Sequence, residues 1–247
     1  MKKAAGMSPV RDISEVRALT FDVFGTVVDW RSSIIRECSL LGKSKGIEAD
    51  WSRFADSWRG GYAPAMNMVR TGELPWMSID SLHRMVLDRL LGEYGIEGLS
   101  ESEKDNLNRA WHRLDPWPDS VEGIERIRKG YIAATLSNGN ISLLVDMAKH
   151  ARIPWDCILS SELSGHYKPD KEVYLTAAGL LGLKPGNVMM AAAHTDDLLA
   201  ARALGFKTAF VSRPLEFGPS GRAEETEGMP FDIIARDFLD LADKLGV

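Results

Sequence analysis

Leu19-Thr20-Phe21-Asp22-Val23-Phe24-Gly25-Thr26 is the stretch that decides the fold. A short β-prone run passes directly into an aspartate, which a turn glycine and a threonine follow. A strand that ends in a carboxylate sets an ionised nucleophile at the mouth of a parallel sheet, where open α/β folds bind ligands. An aspartate in that place points to covalent catalysis. Two residues further on stands Phe24, an apolar ring.

Working outward, short apolar runs recur at 131–136, 156–160, 188–193, 208–211 and 231–234. Most lack alternation, as strands buried on both faces of a parallel sheet do. Helical spacing falls between them, in Ile141, Leu144, Val145 and Ala148, and again in Val173, Ala177, Ala178 and Leu181. A further helix is predicted over 196–204, with Gly205 as its stop. The alternation predicts an α/β fold, a Rossmann-like parallel-sheet core with right-handed crossovers. The interval 31–115 breaks this rhythm. It shows no clear strand, carries a helical stripe of Ile79, Leu82, Met85, Val86 and Leu90, and holds Trp51, Trp58, Trp76 and Trp111. Pro116-Trp117-Pro118-Asp119 then resets the chain. The expected organisation is a first core piece at 1–30, an inserted α-helical cap at 31–115, and the rest of the core at 116–247. The stretch 214–229, rich in Gly, Pro and Glu, reads as a long exposed loop.

Bulk properties narrow the function. The chain has 247 residues, 45% apolar and 26% charged, with a net charge of -5. No basic stripe interrupts that balance, which argues against nucleic acid or an anionic membrane as partner. Met1-Lys2-Lys3 resembles the start of a signal peptide, but the residues to Pro9 are too short and broken to supply its apolar region. No apolar run approaches the roughly 18 residues of a membrane helix, and a cytoplasmic location is expected. Cys38 and Cys157 stand far apart, outside any C-x-x-C pattern, and are expected to be buried structural cysteines. With five scattered histidines they assemble no zinc site.

Four polar clusters fall just past predicted strands: Asp22 to Thr26, Ser137-Asn138, Lys168 within His166-Tyr167-Lys168-Pro169-Asp170, and His194 to Asp197. Parallel strands would bring all four to one edge of the sheet. In this order and spacing, from Phe21 to Asp197, the chain resembles the haloacid dehalogenase superfamily, and within it the type II (S)-2-haloacid dehalogenases. The resemblance implies the haloacid dehalogenase fold with its helical cap. It also implies hydrolytic dehalogenation of short 2-haloalkanoic acids to 2-hydroxy acids, through an ester on Asp22 that water then cleaves.

The same resemblance suggests roles. Asp22 is the nucleophile, and a buried Lys168 beside it would keep it ionised. Thr26, Ser137, Asn138 and Tyr174 match substrate-site positions. Arg59, in Ser57-Trp58-Arg59, and Asn138 match positions that receive the halide, where a cation meets developing negative charge. Asn140 would serve as N-cap of the helix that comes after it. In the fourth cluster, Ala192-Ala193-His194-Thr195-Asp196-Asp197, Asp197 falls on the family's aspartate. Asp196 lies one residue away, and His194 replaces an asparagine of the common pattern. Activation of water stays open among Asp197, Asp196 and His194.

Phe24 separates the readings. Phosphatases of the superfamily protonate their leaving group with an aspartate two residues after the nucleophile, and a phenylalanine cannot. Halide departs without a proton, so neither magnesium nor an organic cofactor is expected. The alternatives are a phosphatase or phosphonate hydrolase on the same fold, and a non-catalytic interaction protein. A homodimer is implied by the family alone.

Overall fold

The computed structural model describes residues 12–247, so the signal-like start at 1–9 lies outside the described residues. Among the described residues seven strands form: β1 (Ala18–Phe21), β2 (Val28–Asp29), β3 (Asp115–Pro116), β4 (Ile132–Thr135), β5 (Val188–Ala192), β6 (Lys207–Val211) and β7 (Ile233–Ala235). Ten α-helices accompany them among the described residues: α1 (Trp30–Lys45), α2 (Trp51–Gly60), α3 (Tyr62–Arg70), α4 (Ile79–Glu93), α5 (Glu101–Asn108), α6 (Ser120–Ile127), α7 (Ile141–Ala151), α8 (Lys171–Leu180), α9 (Thr195–Ala203) and α10 (Phe238–Leu245).

Five strands pair in the order β4-β1-β5-β6-β7, every neighbour parallel. The α/β reading holds, and the reason is visible in β5. Successive side chains of a strand point to opposite faces. Met189 and Ala191 pack on one side with Phe21, Phe238 and Leu241, whereas Met190 and Ala192 pack on the other with Tyr174 and Leu198. Both faces are dry, so the strand reads as an unbroken apolar run.

The expected strand at 156–160 does not form. Cys157 and Ser160 make isolated parallel bridges to Ala134 and Ser137. Backbone bonds from Asp156 N to Ala133 O, Thr135 N to Cys157 O and Ser161 N to Ser137 O remain, and side chains fill in between them. Thr135 Oγ1 donates to Leu159 O (2.7 Å) and accepts from Leu159 N (2.9 Å), while Asp156 Oδ2 accepts from Ala133 N. Cys38 is buried, as expected, but Cys157 is only half-buried at this interrupted edge.

Between β2 and β3 the chain runs through α1 to α5 and a 3-10 turn, Arg109–Arg113, and adds no strand to the five-stranded sheet. The antiparallel pair β2-β3, with Val28 opposite Pro116, ties its entry to its exit. These helices bury Ile34, Phe54, Trp58, Leu87 and Trp111. Asn140 stands at the N-cap of α7 but makes no capping hydrogen bond. Its amide instead donates to Asp80 Oδ2 (2.9 Å) and Ser142 Oγ, and its oxygen accepts from Asp80 N. A residue expected to end a helix thus joins α7 to α4. No described helix is long and apolar enough to cross a membrane.

Candidate active site

Parallel strands end together, so the residues just past their carboxyl ends gather in space. Asp22 leaves β1, Ser137 and Asn138 come after β4, and His194 comes after β5 at the start of α9. Lys168 arrives from the segment before α8, on a cis Lys168–Pro169 bond. The predicted clusters therefore meet at one sheet edge.

Asp22 is 7% exposed. Its Oδ1 accepts from Lys168 Nζ at 2.9 Å. Its Oδ2 accepts from the Thr26 hydroxyl at 2.7 Å and from His194 Nδ1 at 3.1 Å. The Thr26 oxygen in turn accepts from Ala193 N (2.9 Å), which turns its hydrogen toward Asp22. Burial alone would raise the Asp22 pKa; the charges of Lys168 and His194 outweigh it and hold the carboxyl well below the usual range. A nucleophile needs that ionised form.

Lys168 also donates to Asp197 Oδ2 at 2.5 Å, and the Tyr174 hydroxyl donates to Asp197 Oδ1 at 2.6 Å. Burial, reinforced by the Asp22 charge, raises the Asp197 pKa against the pull of Lys168. Burial opposes the charge on Lys168, but Asp197 and Asp22 outweigh it and raise its pKa. Asp196 lies beside this group, its Oδ1 accepting from Asp197 N.

A cavity of about 400 Å³ opens on these groups, lined by Asp22, Phe24, Arg59, Asn138, Lys168 and His194, together with Tyr62, Met66, Tyr174, Asp196 and Asp197. That volume suits a small ligand. The Arg59 guanidinium lies 4.5 Å from the centre of the Tyr62 ring and 5.7 Å from that of Trp30, and its buried Nε has no hydrogen-bond partner among the described residues. Phe24 is buried edge-on against Tyr62, His83 and Trp111. Asn138 Oδ1 accepts from Lys168 N (2.8 Å), which fixes the amide toward the cavity. Ser137 and Thr26 stand behind the wall, and Ser137 Oγ accepts from Gly139 N. A larger cavity of about 1140 Å³, beside β7 and 223–232, gathers no comparable set of paired groups.

Sequence reasoning missed Glu216. The stretch expected to be exposed buries this side chain to 4%. His194 Nε2 lies 3.0 Å from Glu216 Oε2, and Trp30 Nε1 donates to Oε1 at 3.1 Å. A side chain on Gly25, whose φ is +81°, would place its Cβ 2.1 Å from Glu216 Oε1. Glycine there opens the space that Glu216 fills. The available signal was position, because Glu216 comes after β6 at the same sheet edge. Burial opposes charge on His194, but hydrogen bonds to Asp22 and Glu216 outweigh it and push the pKa up to about 10.

The donor set does not suit a divalent cation. Lys168 bridges Asp22 and Asp197, the Phe24 side chain carries no oxygen, and among the described residues no group of three or more His, Cys, Asp or Glu is arranged to hold a metal ion.

A family model described as haloacid dehalogenase-like hydrolase matches residues 16–205. The (S)-2-haloacid dehalogenase 4A of Burkholderia cepacia is 30% identical over 221 residues, covering 81% of this chain and 85% of the relative. A solved L-2-haloacid dehalogenase is 48% identical with a TM-score of 0.88, covering 94% of this chain and 99% of its own. A second, described as defluorinating, is 47% identical with a TM-score of 0.88, covering 94% and 96%.

Proposed function

The chain belongs to the haloacid dehalogenase-like hydrolases, and from that premise we propose that it converts short 2-haloalkanoic acids to 2-hydroxy acids through an ester on Asp22. The observation that carries this reading is the Asp22 carboxylate itself. It is kept ionised by Lys168 and faces a small cavity that holds one arginine and one buried phenylalanine.

Among the described residues, Asp22 Oδ1 accepts one hydrogen bond and Oδ2 accepts two. Oδ1 therefore keeps the freer lone pair and attacks C2, while the carbon–halogen bond breaks with its electron pair. Arg59 and Asn138 receive the halide. Phe24 keeps that side dry, and no acid is needed because halide leaves unprotonated. Lys168 offsets repulsion between Asp22 and the substrate carboxylate. Thr26 orients the nucleophile, and Ser137 shapes the turn that presents Asn138. Water then adds to the Asp22 carbonyl carbon, with Asp197, made more basic by its burial, receiving the proton. Residues 31–115 act as the cap that supplies Arg59 and closes the pocket from bulk water.

The test is halide release from chloroacetate with and without a chelator, beside Asp22→Asn. Release that survives chelation and falls at least about 10³-fold in the variant supports the reading. Release that depends on a metal, or that the variant retains, refutes it.

A further inference from the structure

The Asp22–His194–Glu216 line has no part assigned to its last member. His194 lies between two carboxylates, so both ring nitrogens donate, and the resting imidazolium holds no lone pair with which to act as a base. Its Nδ1–H points at Asp22 Oδ2, which also takes the Thr26 hydroxyl, at 3.1 and 2.7 Å. Oδ2 is the oxygen left as carbonyl once Oδ1 has bonded to substrate. Two preset donors at such distances from a future oxyanion are the geometry that stabilises one.

Charge makes Glu216 necessary at that stage. Esterification neutralises Asp22, which removes one of the two anions that hold the imidazolium. The remaining charged groups around His194 are Glu216 from the stretch after β6, Asp196 and Asp197 on its own helix, Glu224, which caps Thr195, and the cations Lys168 and Arg59, which line the same cavity. Among the described residues, Glu216 is the one of these that contacts the ring. We propose that Glu216 is a positioning residue that keeps His194 charged through the ester stage, so that His194 Nδ1–H and the Thr26 hydroxyl form an oxyanion hole for Asp22 Oδ2.

The step balances. Water oxygen bonds to the Asp22 carbonyl carbon, and the π pair moves onto Oδ2 while one water proton passes to Asp197. The pair then returns, the bond from that carbon to Oδ1 breaks, and the departing 2-hydroxy acid takes the proton back from Asp197. The second water proton stays on the new carboxyl and is lost to solvent, so one proton and one halide are released per turnover.

This inference rests on the proposed function, and one experiment separates their failures. Chloroacetate is mixed with wild type, Glu216→Gln and His194→Gln, and the halide burst and, by intact mass, the decay of the Asp22 adduct are recorded across pH. Gln keeps the hydrogen bond to His194 but not the charge. The expected result for Glu216→Gln is an unchanged burst with adduct decay slowed about 10- to 10³-fold. The slowing deepens as pH rises, because the imidazolium is lost at lower pH than in wild type. His194→Gln also accumulates adduct, without that pH dependence. Decay at the wild-type rate and pH profile in Glu216→Gln overturns the Glu216 role. Decay that quickens with rising pH instead makes His194 a base and overturns the oxyanion hole. Absence of any halide release by wild type overturns this inference together with the proposed function.

Discussion

The Lys168 ammonium lies 2.9 Å from Asp22 Oδ1, and its remaining reach is taken by Asp197 Oδ2 at 2.5 Å. One buried cation thus serves two buried carboxylates. Removing one partner from such a group leaves uncompensated charge, which typically destabilises by about 3–5 kcal/mol. Lys168→Met is expected to lose stability of that order and at least about 10³-fold in halide release. Chemical denaturation and a halide electrode measure the two.

The pH dependence of that stability is set by the directions of the shifts. Asp22 is held below its ordinary 3.8, so its contribution is full above that pH and is lost as pH falls. Lys168 is raised above 10.5, so its contribution is full below that pH and is lost as pH rises. The stability gap between wild type and Lys168→Met should be widest between these limits and shrink in acid, which denaturation at a series of pH values checks.

Tyr174→Phe removes the hydroxyl that donates to Asp197 Oδ1 at 2.6 Å. A buried carboxylate oxygen left without its donor costs about 1–3 kcal/mol. Lower stability in that range is expected, with slower adduct decay and an unchanged halide burst, because Tyr174 touches the carboxylate that serves hydrolysis. A slowed burst would instead place Tyr174 on the alkylation step.

Much of this site was legible because strand ends are local. Phe21-Asp22 and Leu136-Ser137-Asn138 each carry an apolar run into a polar residue, and the parallel sheet does the rest. Glu216 was hidden for the opposite reason. Its burial depends on a missing side chain at Gly25 and on the Trp30 indole, both far away in sequence. The run at 156–160 misled because periodicity reports apolar character, whereas the pairing there is interrupted, with Thr135 and Asp156 side chains interleaved among the backbone bonds. Asn140 misled likewise: its local pattern suits a cap, but Asp80 from a distant helix competes for its amide.

Arg59→Lys keeps a cation but loses the planar fork that stacks on Tyr62 and Trp30. The expected fall in kcat/KM for chloroacetate is about 10- to 100-fold, or about 1.4–2.7 kcal/mol, with the melting temperature nearly unchanged. Steady-state kinetics and a thermal scan test this, and unaltered kcat/KM would remove Arg59 from the halide site.

His83 is buried against Trp111 with neither ring nitrogen hydrogen-bonded among the described residues, and burial lowers its pKa to about 3. The unfolded chain binds a proton below about 6.5 that the folded chain refuses. Stability therefore declines as pH falls from there, by about 1.4 kcal/mol per unit from this group. His83→Phe should flatten the stability curve between pH 6 and about 4 relative to wild type, as read by urea midpoints. Parallel curves would contradict it.

The central claim is that Asp22 bonds to the substrate carbon, and isotope transfer tests it most directly. With enzyme in excess over chloroacetate in ¹⁸O-water, a single turnover should yield glycolate whose new hydroxyl carries ¹⁶O from the Asp22 carboxylate, while ¹⁸O appears in Asp22. Glycolate labelled with ¹⁸O in that first turnover would mean that water attacks the carbon itself, contrary to an ester on Asp22.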